Sequence, residues 1–518
     1  MDIFLSTDVL IDAVLNDEDH SESFKCIKEI IENNDTHLWI SASSISDAEK
    51  KISEYGGKSC VDKLIHLIKK HFSIIPFRQS VFLKALEQNS VDFGLAVQLA
   101  SIGELHMDYC ITMDVTAFET CSLPVFTPED FMAKIYTDKL TQIVNVPFMD
   151  LKAQHHQIYN EIDDRYADII ANTGFILGKY VAEFEEKFAE IQGAEYCIGV
   201  SSGTDALHVA LMTLGIGHGD AVIVPTHTFI ATAEAVSLCG AVPVFCDCDG
   251  YYNIDVNHVE KILSENAQTG KLNIKAIIPV HLYGQPAELG TIMRLADKFN
   301  VNVIEDACQA HLASYHGTRV GTLGVFGAFS FYPGKNLGGF GEGGALITND
   351  GTLYHKAKMI RQHGEIERYH HQVVGHNYRM SALQGAALGV KLKYIEAWTE
   401  KRQKNARLYN ELLGGIDGIE IPKEIDDVLS VYHLYVIQVA DRDGLMAYLK
   451  EHHIICGLHY PIPLHLQDAY KYLGYKEGDF PVAEKAAQRI ISLPMFPELA
   501  EGQIRYVCDK IKKNMEGV

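Results

Sequence analysis

The sequence predicts an α/β protein built in two parts. A small parallel α/β unit occupies about residues 1–136. A larger unit follows, with a mostly parallel sheet covered on both faces and a smaller α+β part at its C-terminal end. Three observations predict this. The 518 residues exceed what one hydrophobic core organises, so two or three domains are expected. Short apolar runs alternate with amphipathic stretches in both parts, the pattern of strand–helix repeats around parallel sheets. The composition changes at Val146–Leu151, VPFMDL.

In the first part, Ile3–Leu5 reads as a strand and Val9–Leu15 as a helix. Ser23–Asn33 is helical by the apolar spacing of Phe24, Ile27, Ile30 and Ile31. Leu38–Ile40 is a strand, Ile45–Tyr55 a helix, and Val61–His71 a second amphipathic stretch. Ser73–Pro76 is a strand, Val91–Ile102 a helix, and Tyr109–Thr112 a strand. Asp8, Asp12, Asp47, Asp92 and Asp114 are candidates for a divalent-metal cluster at strand ends. Solvated or helix-capping acids are the plain alternative.

The junction is expected near residue 140, within AKIYTDKLTQIVN, which has no Gly/Ser linker. Beyond it, Glu161–Ala171 and Lys179–Ile191 read as helices. The alternation then runs through strand Tyr196–Val200, helix Gly203–Leu214, strand Ala221–Val224, helix Phe229–Leu238 and strand Pro243–Phe245. Strand Ile274–Pro279, helix Glu288–Phe299 and strand Val301–Ile304 continue it. This portion, 146–393, is the large domain. Residues 394–518 form the small one, with a helix at Ile395–Leu413 and strands near Val431–Val439 and Ile454–Leu458.

A formal charge of −23 argues against a nucleic-acid or membrane-surface binder. No apolar run reaches membrane-spanning length. The N-terminus, MDIFLSTDVLID, carries acids where a signal peptide carries basic residues. The 11 cysteines are scattered and odd in number, as in a reduced, cytoplasmic protein.

One stretch organises the large domain: Ser330–Ala345, SFYPGKNLGGFGEGGA. Its glycine density serves positive-φ turns and close backbone approach to a ligand. Three candidate ligand groups fall at strand ends, where parallel sheets bind ligands. Gly203 and Thr204, in SSGTD, open a helix whose N–H groups suit a phosphate, or simply an N-cap. Asp306 ends the strand VNVI, where a carboxylate needs a cation or donor, and a protonated pyridine nitrogen is such a partner. Ser330 and Lys335 flank the bend, and a desolvated lysine beside an aldehyde forms a Schiff base. Together these describe a pyridoxal 5′-phosphate (PLP) site.

Residues 146–518 resemble the DegT/DnrJ/EryC1/StrS sugar aminotransferases, a family of fold-type-I PLP enzymes. The matching stretches are VSSGTDAL, VPTHTFIAT, PVHLYGQ, IEDACQAH, GVFGAFSFYPGKNLGGFGEGGA, GHNYRMSALQGA and GLHYPIPLH. The resemblance implies a catalytic Lys335, a ring-nitrogen partner in Asp306, and Gln309 near the 3-hydroxyl. It implies phosphate contacts from Gly203, Thr204 and Ser330, ring stacking by Phe229, and Asn377 reaching the phosphate of a neighbouring subunit, hence a homodimer. It implies a ping-pong transfer from L-glutamate to a nucleotide-linked keto sugar. Cys308 stands where alanine is common and Glu342 where aspartate is common. Relatives with histidine at the lysine position are dehydratases, and Lys335 argues against that here.

The first part resembles a PIN domain, a metal-dependent RNase fold, in STDVLIDAVL, WISASSISDAE, VDFGLAVQLA, ITMD and PVFTPEDF. Asp47 and Asp114 match family acids, while Ser6 and Leu95 replace two others. Losing two of four carboxylates implies a degenerate, non-catalytic module, and no metal is assigned. An RNA-binding or RNA-cleaving protein with a PLP-bound scaffold half is the alternative. His363, His370, His371, His376, His459 and His465 gather in substrate-loop sequence without a metal-ligand spacing, and each reads more simply as a hydrogen-bonded structural histidine than as a substrate contact.

Overall fold

A computed structural model describes residues 1–16, 21–32, 36–88, 92–105, 107–133 and 145–516. They fall into two units: Met1–Val144 with Leu151–Asn160, and Asn145–Asp150 with Glu161–Val518. The junction expected near residue 140 and the expected helix start at Val91 lie outside the described residues.

In the first unit the described strands are β1 Asp2–Leu5, β2 His37–Ser41, β3 Phe72–Ile75, β4 Tyr109–Ile111 and β5 Val125–Phe126. They form one sheet of order β3-β2-β1-β4-β5, with every pairing parallel. Strand side chains alternate between faces. Ile3, Leu5, Ile40 and Ile111 therefore meet Val9, Leu10 and Ile52 in one core, while Phe4, Trp39 and Cys110 meet Ile102 and Phe118 in another. The two helices expected over 45–55 and 61–71 follow one another within Ala42–His71, parted only where Gly57 leaves helical geometry at φ 68°. A helix at Gln79–Glu87 was not expected from the sequence. It exposes Phe82, Leu83 and Leu86, so its apolar residues give no single-faced pattern.

The helix Leu151–Asn172 starts ten residues before the expected Glu161, its residues 151–160 belonging to the first unit and 161–172 to the second, where helix Lys179–Gln192 then precedes the sheet. The strands are β6 Tyr196–Val200, β7 Asp220–Pro225, β8 Val242–Cys246, β9 Asn273–Ile277 and β10 Asn302–Asp306. A short hairpin of β11 Ser314–Tyr315 and β12 Thr318–Arg319 comes next, then β13 Phe326–Ser330 and β14 Gly344–Thr348. Among the described residues the main sheet has order β6-β14-β13-β10-β9-β7-β8. It is parallel throughout except for β14, which runs antiparallel to both neighbours. Alternation again feeds two cores: Ile223, Val303 and Phe329 to one, Val222, Val224, Ile304 and Phe326 to the other.

The later elements are hairpin β15 Glu365–Glu367 and β16 His370–His371, then β17 Val428–Leu429, which pairs with β11. β18 Tyr435–Gln438 and β19 Ile490–Leu493 pair antiparallel over a third core containing Tyr409, Ile437 and Ile511. The strand expected at Ile454–Leu458 does not form. Ile454 bridges only Val146 and Gly457 only Ser492, so the segment changes partner before a ladder can extend. Among the described residues no helix is long and apolar enough to cross a membrane.

Candidate functional site

The site gathers at the carboxyl ends of β10, β13 and β7. Strand alternation sends Glu305 and Asp306 to opposite faces of β10. Glu305 is fully buried. Its carboxylate accepts from the N–H groups of Gly321 (2.6 Å), Leu323 (2.8 Å) and Gly324 (2.7 Å). It also meets His281 Nε2 at 3.1 Å. His281 Nδ1 accepts from Ala287 N–H at 3.0 Å, which puts the ring proton on Nε2, facing Glu305. This acid is a structural anchor. Asp306, also buried, accepts from the Thr232 hydroxyl at 2.8 Å and from Cys308 N–H at 3.2 Å.

Lys335 lies on the loop between β13 and β14. Its N–H donates to Tyr332 O at 2.8 Å, and Lys391 Nζ donates to Gly338 O at 2.7 Å. Burial pushes the Lys335 amine below the usual lysine range, against the opposing pull of Cys308 and Asp306. Three imidazoles feel its charge. Burial first, and Lys335 second, lower His311 to about 3, His459 to about 4 and His433 well below its ordinary value. The lysine is thus surrounded by neutral rings, a thiol and one carboxylate. His311 sits among Phe188, Phe329 and Phe331, and neither of its ring nitrogens has a hydrogen-bond partner.

The cradle is made by close backbone approach. A Cβ on Gly203 would lie 2.7 Å from Ser330 Cβ and 2.9 Å from Cys308 Sγ. One on Gly344 would lie 2.2 Å from Ser202 O. Within Ser330–Ala345 only Gly341 has a positive φ, 138°, so the other glycines there are not turn glycines. Gly203 and Thr204 open the helix Gly203–Thr213, whose N-cap Ser202 accepts from Asp205 N–H. The structure therefore brings Gly203, Ser330, Asp306 and Lys335 together, with the Cys308 thiol among them.

Phe229 stands in the loop before the helix Ala231–Leu238, two residues outside the helix expected to contain it. Its ring is half exposed and lies 5.7 Å from that of Tyr460. Gln309 Nε2 donates to Tyr460 Oη at 3.1 Å, and Gln309 Oε1 accepts from Tyr283 N–H at 2.8 Å. Tyr283 donates its hydroxyl to His459 O and meets His227 Nε2 at 2.9 Å. Burial pushes His227 down to about 4, and its Nδ1 is buried without a partner. Thr226, behind this loop, holds His465 Nδ1 at 2.8 Å, while His465 Nε2 meets Glu484 at 3.0 Å, so His465 anchors the loop.

Asn377 is exposed, and its side-chain oxygen accepts from Arg379 Nε (3.0 Å) and Nη2 (2.8 Å) of its own chain. Arg379 bridges Val200, so this segment runs beside the strand that leads to Gly203. His376 stacks on Tyr378 at 4.7 Å, and His370 and His371 are exposed on the hairpin β15–β16. Thr232, His227, His311, Tyr283 and Tyr460 were not singled out from the sequence. Thr232, His227, His311 and Tyr460 do lie inside HTFIAT, DACQAH and GLHYP, stretches that drew notice for other residues.

The acids of the first unit are engaged locally. Asp8 accepts from Ser6, Val9 N–H, Thr112 and Met113 N–H. Asp92 caps the helix Phe93–Ile102, Asp114 accepts from Ala117 N–H, and Asp12 accepts from Asn16 and Ser21. Asp47 and Asp92 both lie beside Gly94. Among the described residues no three His, Cys, Asp or Glu side chains are placed to hold one metal ion.

Residues 156–512 match the DegT/DnrJ/EryC1/StrS aminotransferase family. Over 371 residues the chain is 45% identical to the pleiotropic regulatory protein of Geobacillus stearothermophilus, covering 71% of this chain and 98% of that one. Over 373 residues it is 39% identical to dTDP-3-amino-3,4,6-trideoxy-alpha-D-glucose transaminase of Streptomyces venezuelae, covering 72% and 97%. The crystal structure of S. venezuelae DesV in complex with a ketimine intermediate is similar at a TM-score of 0.70 and 39% identity, covering 72% of this chain and 99% of that one.

Proposed function

The chain belongs to the DegT/DnrJ/EryC1/StrS aminotransferase family, and on that premise we propose that it is a sugar aminotransferase using PLP to move an amino group from L-glutamate to a keto sugar carried on a nucleoside diphosphate. The observation that carries this reading is the grouping of Lys335 and Asp306 with the cradle of Gly203 and Ser330. The S. venezuelae relative, covered almost end to end, supports a nucleotide-linked sugar as acceptor.

The residues present fit PLP. Gly203 has no room for a side chain and so seats the helix start directly against Ser330, and that helix start presents N–H groups that favour a phosphate. Asp306 is a buried carboxylate with two donors, suited to a protonated ring nitrogen. The half-exposed Phe229 ring suits stacking on a flat heterocycle. When bound, PLP supplies an electron sink for charge developing at the donor's Cα.

The chain's own groups do the rest. Lys335, its amine disfavoured as an ammonium by burial, takes the proton from the donor Cα. His311, His433 and His459 stay neutral and add no charge that would compete for Asp306. Gln309 is fixed by Tyr283 and Tyr460, so it offers a set hydrogen-bonding edge beside the site. The keto acid leaves before the sugar enters, which makes the order ping-pong.

We place this reaction in a cytoplasmic homodimer, with Asn377 serving the neighbouring subunit's phosphate site. The exposure of Asn377 supports that role. The N-terminal unit reads as a PIN-like module kept for binding, its acids occupied by local donors. Incubating the PLP-loaded protein with glutamate and a panel of dTDP- and UDP-linked keto sugars tests the proposal. One or more acceptors should give 2-oxoglutarate and amino-sugar nucleotide in equal amounts. Release of 2-oxoglutarate without any aminated sugar would refute the acceptor class.

A further inference from the structure

The first unit contains a pair of thiols that the aminotransferase reading leaves unused. Cys110 is the centre of β4 and is fully buried in the core with Phe4, Trp39 and Phe118. The chain leaves β4 at Ile111, turns through residues 112–124, and returns beside its starting point. Cys110 N–H donates to Pro124 O at 3.1 Å, and Thr112 N–H to Phe126 O at 3.0 Å. The return brings Cys121 to the same core face, beside the Cys110 thiol. Cys121 itself is partly exposed. One thiol is therefore reachable from solvent and the other lies directly behind it.

We propose that Cys110 and Cys121 form a reversible disulfide, a modification site at which the N-terminal unit takes up oxidation by hydroperoxides. The sulfur environment suits the two steps. The neighbouring Cys110 thiol first, and then Leu123 N–H, lower the Cys121 thiol to about 6 against the opposing effect of burial, and so favour its thiolate. The Cys110 thiol is pushed well up, by Cys121 beside it first and by burial second, so it keeps its proton. The Cys121 thiolate attacks hydrogen peroxide. The O–O bond breaks, sulfur is oxidised to the sulfenic acid, and hydroxide leaves. Cys110 sulfur then attacks Cys121 sulfur, forming S–S and breaking S–O. The departing hydroxide combines with the Cys110 proton as water. Peroxide is the two-electron oxidant, and a dithiol reverses the sequence by exchange. The bridge would pin the loop that carries Thr112 and Met113, both donors to Asp8.

The test uses the full-length protein and is independent of aminotransferase activity. Asp114 and Glu119 lie between the two cysteines, so cleavage at acidic residues places them on separate peptides. After brief exposure to dilute hydrogen peroxide, mass spectrometry should find those peptides joined with the loss of two hydrogens. Dithiothreitol should separate them. Before oxidation, Cys121 should react with iodoacetamide at neutral pH at least tenfold faster than Cys110. Cys110→Ser should stop at the Cys121 sulfenic acid, trapped by dimedone, and Cys110→Ala serves equally should the serine misfold. If wild-type Cys121 stays alkylatable under peroxide, or passes to sulfinic acid with no joined peptide, the proposal is overturned.

Discussion

Thr232 donates its hydroxyl hydrogen bond to the Asp306 carboxylate at 2.8 Å, across 74 residues of sequence. Hydrogen bonds to charged groups contribute about 1.5–3 kcal/mol. Replacing Thr232 by valine keeps the volume and removes the donor, leaving Cys308 N–H on the buried carboxylate. The carboxylate then keeps one of its two donors, and is less firmly held for pairing to a cationic ring nitrogen. Thr232→Val should weaken PLP binding about tenfold or more, read by absorbance titration of the apoprotein, since 1.4 kcal/mol is a factor of ten. Thr232→Ser should bind nearly as the wild type does.

Lys335→Ala tests the proton-transfer role directly. Positioned general bases contribute roughly 10²–10⁴-fold. The variant should lose at least that much of the rate of 2-oxoglutarate release from glutamate, with an unchanged circular dichroism spectrum. Lys335 packs on a loop held by Lys391 and by the backbone hydrogen bond to Tyr332, so removing its side chain leaves the loop's own ties in place. Undiminished turnover would exclude Lys335 as the base.

How much of this was legible in sequence varied by residue. Lys335 and Asp306 stood out only in combination: alone, one reads as a solvated loop lysine and the other as a capping acid, and it is their convergence with the Gly203–Thr204 helix start at strand ends that marks a site. The parallel architecture was legible because β7, β9 and β10 are strands of five or six residues, each with a short apolar centre, separated by helices. The Thr232–Asp306 and Gln309–Tyr460 contacts were not, because they span 74 and 151 residues and carry no local pattern. Ile454–Leu458 has strand-like composition, yet tertiary partners decide pairing, and here each neighbour offers one residue. Glu305 and Asp306 are equivalent by propensity, and only the placement of the Gly321–Gly324 amides shows which of them anchors the fold.

Glu305→Ala follows from that anchoring. It strips the acceptor from three backbone N–H groups and from His281; the Gly321 N–H and His281 are buried, while Leu323 and Gly324 are part-buried. Each buried donor left unpaired costs about 1–3 kcal/mol. The urea midpoint of the larger unit should fall by an amount equivalent to roughly 3–5 kcal/mol, most of it from the two buried donors left unpaired. Glu305→Gln, which keeps one carbonyl acceptor, should lose less. A midpoint shift in Glu305→Ala within the usual scatter of a surface substitution would show that the 321–324 turn finds other acceptors.

His227 gives the protein an acid limb. Burial lowers it to about 4, against an ordinary histidine value near 6.5. Below about pH 6.5 the unfolded chain binds a proton at this position that the folded chain refuses, so unfolding takes up a proton. Stability from this residue is therefore complete above about pH 6.5 and declines as the pH falls towards 4. The slope approaches about 1.4 kcal/mol per pH unit within that window. His311, lowered to about 3 with Lys335 adding to burial, acts in the same direction. In His227→Gln the amide nitrogen stands in for Nε2 against Tyr283 and cannot titrate. Urea midpoints measured between pH 4.5 and 7.5 should fall more steeply with acid in the wild type than in this variant, by close to one proton's worth. The two curves should run parallel above about pH 7. Parallel curves down to pH 4.5 would mean that His227 binds its proton in the folded protein as readily as in the unfolded chain.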